Sequence, residues 1–244
     1  ITPDGSNRIY LKTTNKFPTP VAVEFKTYLY APSIETSNIW LHALTRWDGQ
    51  ITGTYDSPNN AMRFDMRPDD NLLGIYVFMG GSFDLLANIS ANISLNVWYR
   101  VTVADDGTKF KATVEGIGSL EAINDTTDYG YIGFASKELP STEQVWIDWV
   151  AIRNYVDPEP NVSVKNVETI DWWNNTWRYR RLLVVENPSS VNLTGYQVRL
   201  YLNSSMIDFS KISENGSDIR FVLPNGTELP YWIEYWNDTT QEAV

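Results

Sequence analysis

Cysteine is absent from the 244 residues, and histidine occurs once, at position 42. The first absence excludes disulfides, thiolate metal sites and cysteine nucleophiles. The second makes any Ser-His-Asp or two-histidine metal chemistry hang on a single ring. Basic charge is scarce as well: Lys plus Arg total 19 against 30 Asp plus Glu, a formal net charge of −11. Phosphate recognition needs a basic footprint, so nucleic acid is excluded as a partner. Long apolar runs are missing too. The uncharged stretches 71–83 and 85–99 fall short of the roughly 20 apolar residues a spanning helix needs, and the second carries three asparagines. The chain opens on Ile1 without a basic, apolar, small-residue leader, which is what a mature product or an excised piece of a longer chain would show.

What is present is apolar and aromatic. A hydrophobic share of 43% with 14% aromatics is too rich for disorder. Strand signals dominate. Residues 21–26 alternate, placing Val21, Val23 and Phe25 on one face. Tyr99, Val101 and Val103 do the same, and Asp105-Asp106-Gly107-Thr108 turns the chain back into Phe110, Ala112 and Val114, a hairpin with one wet face. Residues 131–134 and 145–152 are nearly continuous apolar runs, the pattern of strands at the middle of a packed sandwich.

At Asp157-Pro158-Glu159-Pro160 the pattern stops, and a linker is expected over 158–170. Further strands are predicted over 181–185, 196–202, 218–223 and 229–235, with Pro224-Asn225-Gly226-Thr227 as a hairpin turn and one helical turn over 205–211. The expected architecture is all-β: a jelly-roll β-sandwich over 1–157 and a second, smaller β-sandwich domain over 171–244.

Twenty-one asparagines accompany 18 serines and 21 threonines. Independent scatter would place about three of them in Asn-x-Ser/Thr triplets. Ten occur, at Asn88, Asn92, Asn124, Asn161, Asn174, Asn192, Asn203, Asn215, Asn225 and Asn237. Turn chemistry suits Asn215-Gly216-Ser217 and Asn225-Gly226-Thr227 as well, and the other eight do not need it; all ten stand as N-glycosylation candidates on a protein facing the outside. Glycosylation without disulfides points to a prokaryotic, and in particular archaeal, cell surface.

Two resemblances follow. The residues Tyr129-Gly130-Tyr131-Ile132-Gly133-Phe134, leading to Val145-Trp146-Ile147-Asp148-Trp149-Val150-Ala151-Ile152-Arg153, resemble the end of concanavalin A-like, laminin-G-like jelly rolls. Four later blocks resemble a domain of unknown function found in archaeal and bacterial surface proteins: residues 177–181, 193–198, 216–221 and 229–234. The first resemblance implies strands before Ile1, and the second implies two more strands after Val244. If both ends are native, the open edges imply a donor strand from a neighbouring copy.

The jelly-roll superfamily includes glycosidases, and retaining hydrolysis needs two carboxylates about 5 Å apart. The spacing expected for them does not occur: Glu143 to Asp148 is the wrong interval, and Asp148 among its tryptophans reads as a hydrogen-bonded structural carboxylate. No catalytic residue and no cofactor are expected. Sugar binding fits better, since aromatic rings stack on pyranose faces. Alternation over 38–47 places Trp40, His42 and Arg46 on one face with Trp47 just beyond, and these four are the carbohydrate-binding candidates. Asp65, Asp69 and Asp70, with Asn71, form an oxygen-rich loop that would suit calcium, although no complete ligand spacing is present. Trp172, Trp173, Trp177, Trp232 and Trp236, with Arg178, Arg180 and Arg181 nearby, are expected to pack the second domain or its joint with the first.

The expected function is a non-catalytic extracellular glycoprotein module for cell-surface adhesion or carbohydrate binding, with glycans or neighbouring surface-protein copies as partners. The alternatives are a structural subunit of an archaeal surface filament or lattice assembled by strand exchange, and an accessory arm of a carbohydrate-active enzyme.

Overall fold

The computed structural model describes residues 8–32, 39–52, 57–125, 129–137, 142–167, 174, 177 and 179–244. Trp172, Trp173 and Arg178 lie outside the described residues. The chain divides into two compact units, 1–157 and 158–244.

The first unit contains β1 (Arg8–Pro18), β2 (Val21–Tyr30), β3 (Leu41–Trp47), the small hairpin β4 (Ile51–Thr52) and β5 (Ser57–Pro58), β6 (Ala61–Arg67), β7 (Leu72–Met79), β8 (Ser82–Ser90), β9 (Trp98–Asp105), β10 (Lys109–Val114), β11 (Gly118–Ile123), β12 (Tyr129–Lys137) and β13 (Gln144–Asn154). They form a jelly-roll β-sandwich. One sheet is six-stranded, ordered β1-β12-β3-β6-β7-β8; the other is five-stranded, ordered β11-β10-β9-β2-β13. All pairings are antiparallel, and the two closing strands β12 and β13 return to the two opening strands β1 and β2.

The period-two pattern sorts side chains between core and outer face. Val21, Val23 and Phe25 from β2, Val101 and Val103 from β9, and Phe110, Ala112 and Val114 from β10 meet Leu41, Ala43, Phe64, Met66, Leu73 and Ile75 from the opposite sheet. The hairpin expected around residues 105–108 is present, with Asp106 Oδ1 accepting from the Thr108 and Lys109 amides.

The run 145–152 departs from its expected place. β13 is an edge strand, not a central one, and it bulges between Ile147 and Val150. Trp146 and Val150 are exposed in consequence. Asp148 sits exposed beside that bulge and makes no hydrogen bond among the described residues, so the structural role expected for it is not found.

The second unit carries the hairpin of β14 (Asn161–Val167) with β15 (Arg181–Glu186). Five two-residue strands follow: β16 (Leu202–Asn203), β17 (Phe221–Val222), β18 (Glu228–Leu229), β19 (Trp236–Asn237) and β20 (Glu242–Ala243). β17 and β18 flank the predicted Pro224–Thr227 turn. The helical turn is a 3-10 segment, Phe209–Lys211, capped by Asp208. The strands predicted over 196–202 and 229–235 are mostly irregular, because few of these residues find a hydrogen-bonded neighbour. Trp236 packs on Phe209 at 5.0 Å, as expected of a core ring, whereas Trp177 and Trp232 are exposed.

Candidate functional site

The four carbohydrate-binding candidates do not share an accessible face. Along β3, Thr45 and Arg46 together oppose the single residue Ile132 of β12, between the pairs Leu44↔Gly133 and Trp47↔Tyr131. This bulge holds Arg46 at φ 50° and inverts the alternation beyond it. Thr45 and Arg46 both turn inward to Asp105 on β9. The Thr45 hydroxyl donates to Asp105 Oδ2 at 2.6 Å, Arg46 Nε and Nη2 reach both carboxylate oxygens, and Arg46 Nη1 donates to the Asn124 carbonyl. Arg46 thus ties the two sheets together. Trp47 is thrown onto the outer face of the six-stranded sheet, where it is buried with Leu44, Ala61, Tyr76, Phe78 and Ala135.

On that same outer face the R-x-D-x-R spacing of β6 aligns Arg63, Asp65 and Arg67, and the register sets His42 directly opposite Asp65. His42 Nδ1 lies 2.7 Å from Asp65 Oδ1; Arg63 and Arg67 reach the same carboxylate at 2.6 and 2.5 Å. His42, Arg63 and Asp65 are buried. Burial alone would push the Asp65 carboxyl up, but Arg63, His42 and Arg67 hold it well below the usual carboxylate range.

Trp40 is half-buried at the rim, its Nε1 donating to Asp69 Oδ1 at 2.8 Å. The Arg67 guanidinium and the Lys137 ammonium each sit 3.9 Å from its ring centre. Two cations therefore occupy the ring that a pyranose would stack on.

The calcium candidates meet the same cations. Asp65 is taken up by Arg63, Arg67 and His42, Asp69 by Trp40, and Asp70 lies 3.6 Å from Arg67. Burial pushes the Asp69 carboxyl up, which also disfavours the charged form calcium requires. These three carboxylates do not converge into an oxygen cage, and the described residues hold no group of three or more metal-binding side chains.

The accessible aromatic surface lies on the other sheet. Trp98, Tyr28 and Trp146 are mutual register partners on the adjacent strands β9, β2 and β13. Their inward neighbours Tyr99, Leu29 and Val145 pack on the core, so all three rings project outward. At a strand spacing of about 4.8 Å the row runs roughly 10 Å across the sheet. Trp98 is 41% and Trp146 54% exposed. The Tyr28 and Trp98 rings are 5.2 Å apart and tilted by 46°. Lys26 Nζ stands 5.1 Å over the Trp98 ring, and Trp146 Nε1 donates to Gln144 Oε1 at 2.8 Å. Tyr30, exposed and opposite Gln144, extends the row. Alternation read on each strand separately finds these rings on the wet side; what brings them abreast is register, which one strand's pattern does not contain.

Eight of the ten sequon asparagines are exposed; Asn124 and Asn237 are half-buried. No helix among the described residues is long and apolar enough to cross a membrane.

Residues 215–244 match the family described as a domain of unknown function (DUF2341). No curated protein sequence matches the chain. Among solved structures, the carbohydrate binding module CBM66 from Bacillus subtilis is similar with a TM-score of 0.48 at 12% identity, over 61% of this chain and 83% of that one. A Bacillus subtilis protein of unknown function with a galectin-like fold gives a TM-score of 0.47 at 13% identity, over 59% of this chain and 76% of that one. Sheep galectin-11, in complex with glycerol, gives 0.42 at 11% identity, over 60% of this chain and 97% of that one.

Proposed function

We propose that the chain is a non-catalytic carbohydrate-recognition module of an extracellular, glycosylated surface protein, and that it holds glycan on the outer face of its five-stranded sheet. The observation that carries this reading is the outward-facing row of Trp98, Tyr28 and Trp146, with its two tryptophans exposed and Tyr28 half-buried between them. Rings set abreast offer apolar faces to successive pyranoses, while Gln144, Lys26 and the neighbouring Thr102 and Arg100 supply partners for hydroxyls. A protein partner suits the row less well. A stable interface covers about 800 Å² per partner around an apolar centre, and this row is one ring wide in a face otherwise charged by Glu24, Lys26, Arg100 and Arg153.

The test is binding of the whole chain to an array of soluble polysaccharides, followed by calorimetry on the best ligand. Replacing Trp98 and Trp146 together by alanine is expected to lower affinity about tenfold or more, with the melting temperature little changed because both rings are exposed. Trp40→Ala is expected to leave affinity unaltered. Equal binding by the double variant overturns the assignment of the row, and no binding by the native chain overturns the function.

A second reading, assembly with neighbouring copies by strand addition, is favoured by β15. Among the described residues it is hydrogen-bonded on the β14 side only, with Leu182 and Val185 exposed. Val184→Pro, which places a proline within β15 and so makes the strand a poorer template for pairing, is expected to suppress concentration-dependent association in sedimentation velocity if this reading holds.

A further inference from the structure

Exposed sheet edges invite pairing with another chain, and three of the four edges in the sandwich are visibly blunted. β1 carries Lys12, Lys16 and Pro18 and shifts register between Lys12 and Lys16. β13 carries Asp148 and Arg153 around its bulge. β11 is only six residues long and carries Glu121.

The fourth edge, β8, is different. It runs nine residues, pairs with β7 alone and holds one charge, Asp84. Phe83 and Leu85 stand 57% and 47% exposed upon it. Asp84 and the register shift opposite Ile75 and Tyr76 lie in its first half. Its second half pairs regularly, from Ala87↔Ile75 to Ser90↔Leu72, and has no charge, bulge or proline.

That unguarded half carries the Asn88 sequon, and the Asn92 sequon follows two residues past the end of the strand. From 88 to 94 the chain alternates without exception: Asn88, Ser90, Asn92 and Ser94 are exposed, while Ile89 packs on the core and Ile93 is buried in it. The alternation that makes this segment amphipathic therefore presents both acceptor asparagines and both hydroxyl residues to solvent. Neither the Asn88 nor the Asn92 side chain makes a hydrogen bond among the described residues, whereas those of Asn203, Asn225 and Asn237 are engaged with nearby amides.

We infer that Asn88 and Asn92 carry N-linked glycans and that these are the guard of the β8 edge, standing where the other edges have charge or a bulge. The modification uses an oligosaccharide activated on a lipid-linked phosphate. The asparagine Nδ2 forms a bond to the sugar C1, the C1–oxygen bond to phosphate breaks, the lipid-linked phosphate leaves, and the amide gives up one proton to a base of the transferase. The inference rests on the glycosylated exterior proposed above and is independent of the aromatic row.

The test is to secrete the whole chain from N-glycosylating cells and map occupancy by peptide mass spectrometry. Sedimentation velocity is then run on the native protein, on an Asn88→Gln, Asn92→Gln variant and on an Asn88→Lys, Asn92→Gln variant. Both asparagines are expected to be occupied. The glutamine pair is expected to self-associate at roughly tenfold lower concentration than the native protein. The lysine-bearing variant, equally glycan-free at these positions but with a charge on the edge, is expected to stay monomeric. Occupied sequons elsewhere with Asn88 and Asn92 empty overturns the site while leaving a glycoprotein standing. A glutamine pair that stays monomeric overturns the guarding role.

Discussion

Replacing Asp65 by alanine is expected to destabilise the jelly roll by about 3–5 kcal/mol, the cost of removing one partner from a buried ionic cluster. For a domain of this size that corresponds to roughly 10 °C or more in melting temperature, read by calorimetry. The effect is large because Asp65 is shared: Arg63, Arg67 and His42 all converge on one carboxylate with no exposed surface. Taking it away leaves cationic side chains facing one another under Tyr76 and Phe78, whose rings already lie 5.1 and 4.5 Å from the Arg63 guanidinium. Asp69→Ala, which gives up the half-buried Trp40 hydrogen bond and leaves no buried charge unpaired, is the control, with an expected loss near 1 kcal/mol.

The same carboxylate sets a pH signature. Its folded value is depressed below its unfolded one, so its contribution is fully present above the ordinary aspartate range, near 3.9, and drains away as pH falls from there toward the folded value. The native protein is expected to lose stability steeply below about pH 4, and Asp65→Asn to flatten that slope. An unchanged slope in the asparagine variant would show that other carboxylates carry the acid sensitivity.

Gly130→Ala is expected to cost about 3 kcal/mol from backbone overlap, with no polar group involved. Gly130 faces the Arg46 bulge so closely that an added Cβ would overlap the Arg46 Cα and carbonyl carbon and meet the Trp47 amide at 2.5 Å. All three atoms are β3 backbone, so no flexible side chain can swing aside. β12 and β3 must separate at the point from which Arg46 reaches across to Asp105. Trp47 is 2% exposed, packed where Gly133 leaves room for its indole, so a red shift in tryptophan emission should accompany the lower melting temperature. A variant that melts like the native protein with unshifted emission would mean that the bulge relaxes at no cost.

The same bulge explains what was and was not legible in the sequence. Local periodicity found β2, β9, β10 and the 105–108 turn because one core face demands alternation there. It failed on β3 because one extra residue reverses parity, sending Arg46 inward and Trp47 outward. Apolar runs were ambiguous for a related reason. Residues 131–134 lie between two strands, while 145–152 lie on an edge, and the runs themselves look alike. The Asp65 cluster and the aromatic row are not legible in the sequence, because each is assembled by register across strands whose residues are far apart in the chain. His42 and Asp65 are separated by 23 positions, and their meeting is a property of the β3–β6 pairing, not of either segment.

The return of β12 and β13 to β1 and β2 has a consequence in time. The Thr27 hydroxyl binds the carbonyl of Trp146, 119 residues later. At ordinary synthesis rates β2 waits on the order of ten seconds for that partner to be made. Such high contact order makes closure the slow step of folding. Until those last strands emerge the two sheets cannot be sealed, so the opening strands stay unpartnered for as long as synthesis of β12 and β13 takes.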